Sequence, residues 1–365
     1  MTQRRVRAVY MRGGTSRCLM FHEEDLPAPG AERDAILSAA LGSPDPYGRQ
    51  LDGLGGGISS LSKACIIGPS SHPDADVDYT FAQVEVKSRV VDYGGNCGNC
   101  SSAVGPFAID EQMVRGVEGE TVVRIHNTNT KKIIVAHVPV RNGEAEIAGT
   151  FELAGVAGHG ARIALDFVEP GGAGTGRLLP TGRARETIEG VDVSLVDATN
   201  AFVWVRASDL GLQATETPQA IDADRGVMDR LEAIRVEAAR RMGIRGSAAV
   251  PKVGVVAAPT AFTALDGIAY PRDAADVLAR VISMGNCHRA VPLTAAMCLA
   301  VAARVDGTVV AECVASGDGD VRIGQPSGVL PVAATVVARH GEPWAEQVTV
   351  YRTARRLMEG FVRIP

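Results

Sequence analysis

Two apolar segments rich in small residues constrain what this chain can fold into. One begins after Asn96 and runs Cys97-Gly-Asn-Cys-Ser-Ser-Ala-Val-Gly-Pro-Phe-Ala-Ile109; the other covers residues 292–304, Pro-Leu-Thr-Ala-Ala-Met-Cys-Leu-Ala-Val-Ala-Ala-Arg. The first reads as the start of a buried helix and the second as a further apolar, small-residue helix. Short β-branched or alternating runs bounded by Gly, Asn, Asp or Pro read as strands. They lie at residues 5–10, 64–67, 77–86, 121–125 and 132–140, and again at 191–196, 202–205, 253–257, 307–313 and 332–337. Amphipathic helices are expected at 31–41 and 224–242, the second with Val227, Leu231, Ile234 and Ala238 on one face. Pro106 removes a backbone hydrogen bond from the first apolar segment and argues for a kink there. Gly-Asn-Cys precedes both segments, at 95–97 and 285–287. That echo suits two α/β halves related by a pseudo-twofold axis, each aiming a helix N-terminus at a shared cleft.

A chain of 365 residues exceeds what one core usually supports. The breaker run Pro170-Gly-Gly-Ala-Gly-Thr-Gly-Arg-Leu-Leu-Pro-Thr-Gly182 marks the junction, giving domains 1–178 and 179–365. A net charge of −5 argues against nucleic-acid partners, which need a basic face. The first apolar stretch is broken at Arg12-Gly13-Gly14, so neither a signal peptide nor a membrane span is expected and the location is cytoplasmic. Seven scattered cysteines are an odd set, not a disulfide framework, and imply reduced thiols.

Four segments carry chemistry. Met11-Arg12-Gly13-Gly14-Thr15-Ser16-Arg17 combines a flexible backbone with hydroxyls and guanidinium groups, which reads either as a carboxylate cradle or as a glycine turn with exposed arginines. A Gly/Ser-rich loop from Asp52 delivers Lys63 directly into an apolar strand; desolvation there would lower its pKa and let it act as a base, although a surface lysine is the plainer reading. In Tyr93-Gly-Gly-Asn96-Cys97-Gly98-Asn99-Cys100, a cysteine at a helix start has backbone donors that favour a thiolate. The Cys-x-x-Cys spacing also admits dithiol redox chemistry, whereas structural zinc lacks a second ligand pair; Cys100 reads as a small buried residue. In the second half, Met284, His288 and Arg289 are candidates for the far end of a dianion, and Ser327 with Gly328 for an oxyanion turn, each against the alternative of ordinary loop residues. The polar stretch from Arg124 to Lys132 either adds donors or forms a charged turn; for its lysines the turn is preferred.

Taken together, Met11-Arg-Gly-Gly-Thr-Ser16, Asp52-Gly through Ser62-Lys63, Asp76-Val-Asp-Tyr79, Gly95-Asn-Cys-Gly-Asn99, Ile125-His-Asn-Thr-Asn-Thr130, the Gly-Thr-Gly-Arg-Leu-Leu-Pro-Thr-Gly junction and the Pro-Ser-Gly turn resemble the PrpF-like isomerases of the diaminopimelate-epimerase superfold. That group includes 2-methylaconitate cis-trans isomerase, 4-oxalomesaconate tautomerase and 3-methylitaconate isomerase. The resemblance implies an α+β fold of two similar domains, each wrapping strands around a central helix. The site would lie between them, and a C-terminal segment of about 350–365 would pack on the first domain. It implies no metal and no organic cofactor, a small polycarboxylate as the only partner, and either a monomer or a homodimer. The matching Lys63 and Cys97 would carry the proton of an allylic 1,3-shift, with Arg12, Gly13, Gly14, Thr15, Ser16, Asn96, Gly98 and Asn99 binding substrate. Among substrates, 4-oxalomesaconate comes first on chain length. Arg17, Cys100 and Gln325 depart from the usual pattern of lysine, an aliphatic residue and histidine. The other readings are a racemase, which needs Cys287 or Cys298 as a second thiol, and a Cys97/Cys100 redox protein.

Overall fold

The computed structural model of the chain describes residues 3–245, 250–283, 285–315, 317 and 319–365; Met284 lies outside the described residues. The chain divides into two compact units, Met1–Phe167 with Tyr351–Pro365, and Val168–Val350.

In the first unit, the strand Arg4–Gly13 forms a hairpin with Ser16–His22. Ser16–His22 runs parallel to Lys63–Pro69, which is antiparallel to Val77–Val84. That strand is parallel to Gly119–Asn127, which is antiparallel to Lys132–Arg141. The C-terminal strand Ala354–Ile364 closes the other edge of Arg4–Gly13. Two helices, α1 (Ala31–Leu41) and α2 (Gly98–Asp110), cover the sheet's faces. Ile36, Leu37, Ala40 and Leu41 of α1 pack against Val6, Ala8, Tyr10, Leu19 and Phe21. On the other face α2 meets six of these strands, and every residue from Cys100 to Ile109 is buried. Gly105 sits mid-helix because a Cβ there would lie 2.7 Å from Val138 Cγ2. The helix continues past Pro106 to Asp110.

The second unit repeats this ladder. Val191–Ala198 is antiparallel to Asn200–Arg206, which is parallel to Lys252–Ala257. Next come Val277–Ser283 (antiparallel), Val321–Gln325 (parallel) and Gly328–Arg339 (antiparallel). Four helices accompany it: α3 (Pro218–Ala223), α4 (Arg225–Arg241), α5 (Leu293–Ala302) and α6 (Val309–Cys313). The apolar α5 occupies the place of α2, between the fourth and fifth strands of the series and against the first, second and sixth. Leu231, Ile234 and Ala238 of α4 are buried in the unit's core, as their spacing predicts. Even a detail of the parallel pairing recurs. Asp76 N–H donates to the Arg124 carbonyl at 2.7 Å while Arg124 N–H donates to Asp76 Oδ2 at 2.7 Å; Asp276 and Arg322 make the same exchange at 2.7 and 2.8 Å.

Three expectations differ from what is found. Residues 307–313 hold helix α6 and not a strand: the Thr308 hydroxyl accepts from Ala311 N–H and caps the turn, outweighing the β-branched Val309-Val310 pair. The Gly-Asn-Cys echo is not a structural repeat, because Cys97 caps α2 whereas Cys287 ends a two-residue strand and α5 starts only after Pro292. The run from Pro170 to Gly182 belongs wholly to the second unit. There Asp197 Oδ2 accepts from Gly174 N–H, Thr175 N–H and the Thr175 hydroxyl at 2.6–2.8 Å.

Candidate active site

In the first unit the Arg4–Gly13/Ser16–His22 hairpin tip sits directly on the first turn of α2. A Cβ on Gly13 would lie 2.5 Å from the Asn99 carbonyl oxygen. Gly14 has φ +53°, and a Cβ there would lie 2.3 Å from Asn99 Oδ1, so both glycines are required by close approach. Asn99 Nδ2 donates to the exposed Thr15 hydroxyl at 3.0 Å, and Ser16 is buried beside the turn. Arg12 Nη1 donates to the carbonyls of Gly14 and Thr353, both at 2.9 Å, and so ties the tip to the C-terminal strand. Gly98 is buried, and Asn96 Oδ1 accepts from the Ser101 hydroxyl at 3.3 Å, fixing the approach to the helix.

Cys97 is the N-cap residue of α2 and partly exposed. The neighbouring Cys100 side chain does most to lower the Cys97 pKa; burial opposes ionisation, but the Lys63 ammonium and the N–H groups of Cys100 and Asn99 act with Cys100, and the pKa falls to about 5. Cys97 therefore rests as a thiolate.

Lys63 opens the strand Lys63–Pro69 and is 8% exposed. Its Nζ donates to Gln83 Oε1 at 2.6 Å and lies 4.9 Å from the Phe81 ring centre. The expectation of a lowered pKa is corrected. Burial does disfavour the ammonium, but the charge of Cys97, with Cys100, Cys65 and Cys18 behind it, outweighs burial and raises the pKa. The pair is a thiolate and an ammonium.

The supports of this pair come from segments of less obvious meaning. Gln50 Nε2 donates to the Ser43 and Ser62 hydroxyls, and Ser62 Oγ to the Val84 carbonyl, which sets the loop entering Lys63. Asn129 exchanges hydrogen bonds with the Phe81 main chain at 2.8 and 2.9 Å and donates to the Tyr93 carbonyl at 2.8 Å. The Asn127–Thr130 stretch is thus a tether for the strand beside Lys63 and the loop leading to Cys97.

Sequence reasoning missed Arg352. It is 4% exposed, its Nε donates to Asn99 Oδ1 at 3.1 Å, and burial, opposed by the charge of Cys97, brings its pKa down to about 10. Nothing local to its sequence marks it, since Asn99 lies 253 residues away. Also unforeseen is the grouping of Cys18, Cys65 and Cys100, whose buried sulfurs lie within 4.8 Å of one another.

In the second unit the Ser327 hydroxyl donates to the Arg289 carbonyl at 2.6 Å, and Gln325 Oε1 accepts from Val291 N–H at 2.9 Å. Gly328, with φ +116°, passes under the Tyr270 hydroxyl, where a Cβ would lie 2.9 Å away. His288 is half-buried and its Nε2 has no hydrogen-bond partner among the described residues. Burial and then Lys252 lower the His288 pKa. Lys252, also missed from sequence, opens the strand equivalent to the one that Lys63 opens, and burial lowers its pKa. Burial pushes the Cys287 thiol up to about 11 and the Cys298 thiol up to about 12.

The PrpF protein family matches residues 3–365. The chain belongs to the PrpF family. A PrpF relative, 3-methylitaconate isomerase from Eubacterium barkeri, is 42% identical, the match covering 99% of this chain and 98% of that protein. The 2-methyl-aconitate isomerase of Shewanella oneidensis is 38% identical, over 100% of this chain and 98% of the relative. A crystal structure of methylitaconate-delta-isomerase superimposes with a TM-score of 0.90 at 41% identity, covering 100% of this chain and 96% of the other. The fold of this PrpF chain is thereby the diaminopimelate-epimerase-like α+β fold. No helix among the described residues is long and apolar enough to cross a membrane.

Proposed function

We propose that the protein is an isomerase that moves a proton across an allylic unit of an unsaturated di- or tricarboxylate, with Cys97 as base and Lys63 as acid. The observation that carries this reading is the thiolate–ammonium pair at the start of α2. The Cys97 thiolate removes the allylic proton beside a carboxylate, leaving an extended dienolate. The Lys63 ammonium delivers a proton to the other end of the allylic unit, and transfer from the Cys97 thiol to the Lys63 amine resets the pair. Negative charge spreading onto the carboxylate during the shift is met by Arg352, the Thr15 hydroxyl and the N–H groups opening α2. Within the second unit, His288, Arg289, Ser327 and Gly328 are assigned to carboxylate binding. The names of the relatives support methylated itaconates and aconitates as the substrate class. The upward-shifted thiols of Cys287 and Cys298 favour Lys63 over a second cysteine, and hence an allylic isomerase over a racemase.

The test is proton NMR in deuterated buffer with a panel of methylitaconate, methylaconitate, oxalomesaconate and aconitate. Deuterium entering one member together with double-bond migration, abolished in Cys97→Ser and in Lys63→Ala, is the expected result. Undiminished turnover in both variants would overturn the assignment, and inversion at one carbon without migration would point to racemase chemistry.

A further inference from the structure

The isomerase reading uses Cys97 as base and gives Cys100 and the two buried thiols behind it only an electrostatic part in tuning the pair. Cys100 lies three residues after the helix N-cap, on the face of the first turn that Cys97 occupies. Helical geometry sets Cα atoms three residues apart at about 5 Å, inside the range a disulfide spans without backbone movement. The Cys100 side chain is also the leading influence that lowers the Cys97 pKa, so the two thiols are electrostatic neighbours. Their exposure is unequal: Cys97 is partly open, whereas Cys100 is fully buried among Cys18 and Cys65. A reagent therefore meets Cys97 first.

We propose that Cys97 and Cys100 form a reversible oxidation site for a small hydroperoxide, closing an intramolecular disulfide that removes the Cys97 thiolate. The Cys97 sulfur attacks the terminal peroxide oxygen, breaking the O–O bond; a sulfenic acid forms and the leaving alkoxide or hydroxide takes up a proton. The Cys100 thiol then attacks the Cys97 sulfur, the S–O bond breaks, and the hydroxyl leaves with the Cys100 proton as water. Two thiols lose two electrons, and the peroxide is reduced to an alcohol, or to water if it is hydrogen peroxide, plus one water. The depressed pKa of Cys97 and the raised pKa of Cys100 assign the attacking and resolving roles in that order. Capture by Cys100 also keeps Cys97 from the irreversible sulfinic state. Formation of the bond does not depend on the isomerase reading; only the loss of isomerisation rests on it.

The experiment treats the reduced full-length protein with hydrogen peroxide, blocks remaining thiols with N-ethylmaleimide and maps the peptides by mass. The expected product has Cys97 joined to Cys100, two hydrogens lighter, unalkylated and restored by dithiothreitol. In Cys100→Ala, dimedone traps a sulfenic acid on Cys97, and irreversible oxidation rises on the order of tenfold. Direct conversion of wild-type Cys97 to sulfinic acid, a first disulfide between Cys18 and Cys65, or an unreactive Cys97 would each overturn the proposal. The wild-type map decides even if Cys100→Ala does not fold. A Cys97–Cys100 disulfide that leaves isomerisation intact would sink the role of Cys97 as base while sustaining the oxidation site.

Discussion

Replacing Lys63 by methionine isolates what its ammonium does to the neighbouring thiol. The methionine keeps a long side chain in the buried strand entrance and removes the charge. Cys97 stands at about 5 against an ordinary value of 9.0, held there by the Cys100 thiol, the Lys63 charge and two main-chain N–H groups against the cost of burial. An opposite charge within 4–6 Å shifts a pKa by about 1–3 units, so Lys63→Met should bring the thiol to about 6–8. The thiolate fraction at pH 7 would then fall from about 99% to between about 90% and about 10%. The rate of Cys97 alkylation by iodoacetamide, followed by peptide mass across pH, reads this titration directly and needs no substrate. If Cys97 still titrates near 5 in Lys63→Met, the two groups are not electrostatically paired and the acid/base assignment built on them fails.

Activity should rise as Cys97 ionises near pH 5 and stay level through about pH 9, because Lys63 is held above its ordinary value of 10.5; a decline of kcat/KM near neutrality would contradict a charged lysine. The same depressed thiol links stability to pH. Its stabilising contribution is absent below about pH 5 and grows until the unfolded value near 9 is passed, so Cys97→Ser should flatten the rise in urea stability across that window. Arg352→Lys exchanges a planar fork held on Asn99 for a point charge, and KM should rise on the order of tenfold with a smaller change in kcat, measured by steady-state kinetics. Gly254→Ala would place a Cβ 2.0 Å from Trp204 Cζ3, and overpacking of that order costs about 1–3 kcal/mol in urea denaturation, with KM unchanged.

Much of the architecture was legible because local signals agreed with the global one. The 31–41 helix lies between Gly30 and Gly42, and the two apolar segments could only be buried cores. Where the reading failed, the deciding contact was remote or the local signal was double-edged. Val309-Val310 looks like strand until the Thr308 cap is considered. The strand Ala354–Ile364 carries Arg355, Arg356, Glu359 and Arg363, which hide its periodicity; Arg355, Leu357, Met358, Glu359 and Phe361 are exposed along it. In the site, Cys97 and Lys63 stand out by their surroundings in sequence. The direction of the lysine's shift does not, because most of the sulfurs that reverse the effect of burial come from two other segments, the start of α2 and the strand of Cys18.

The paired Asp76/Arg124 and Asp276/Arg322 braces show that the two halves kept the same joinery while their helix starts diverged. On the proposed assignment two demands fall on different halves: proton chemistry on the half holding Cys97 and Lys63, and none of it on the other. Variants recruited to new acids should leave the thiol and its lysine untouched.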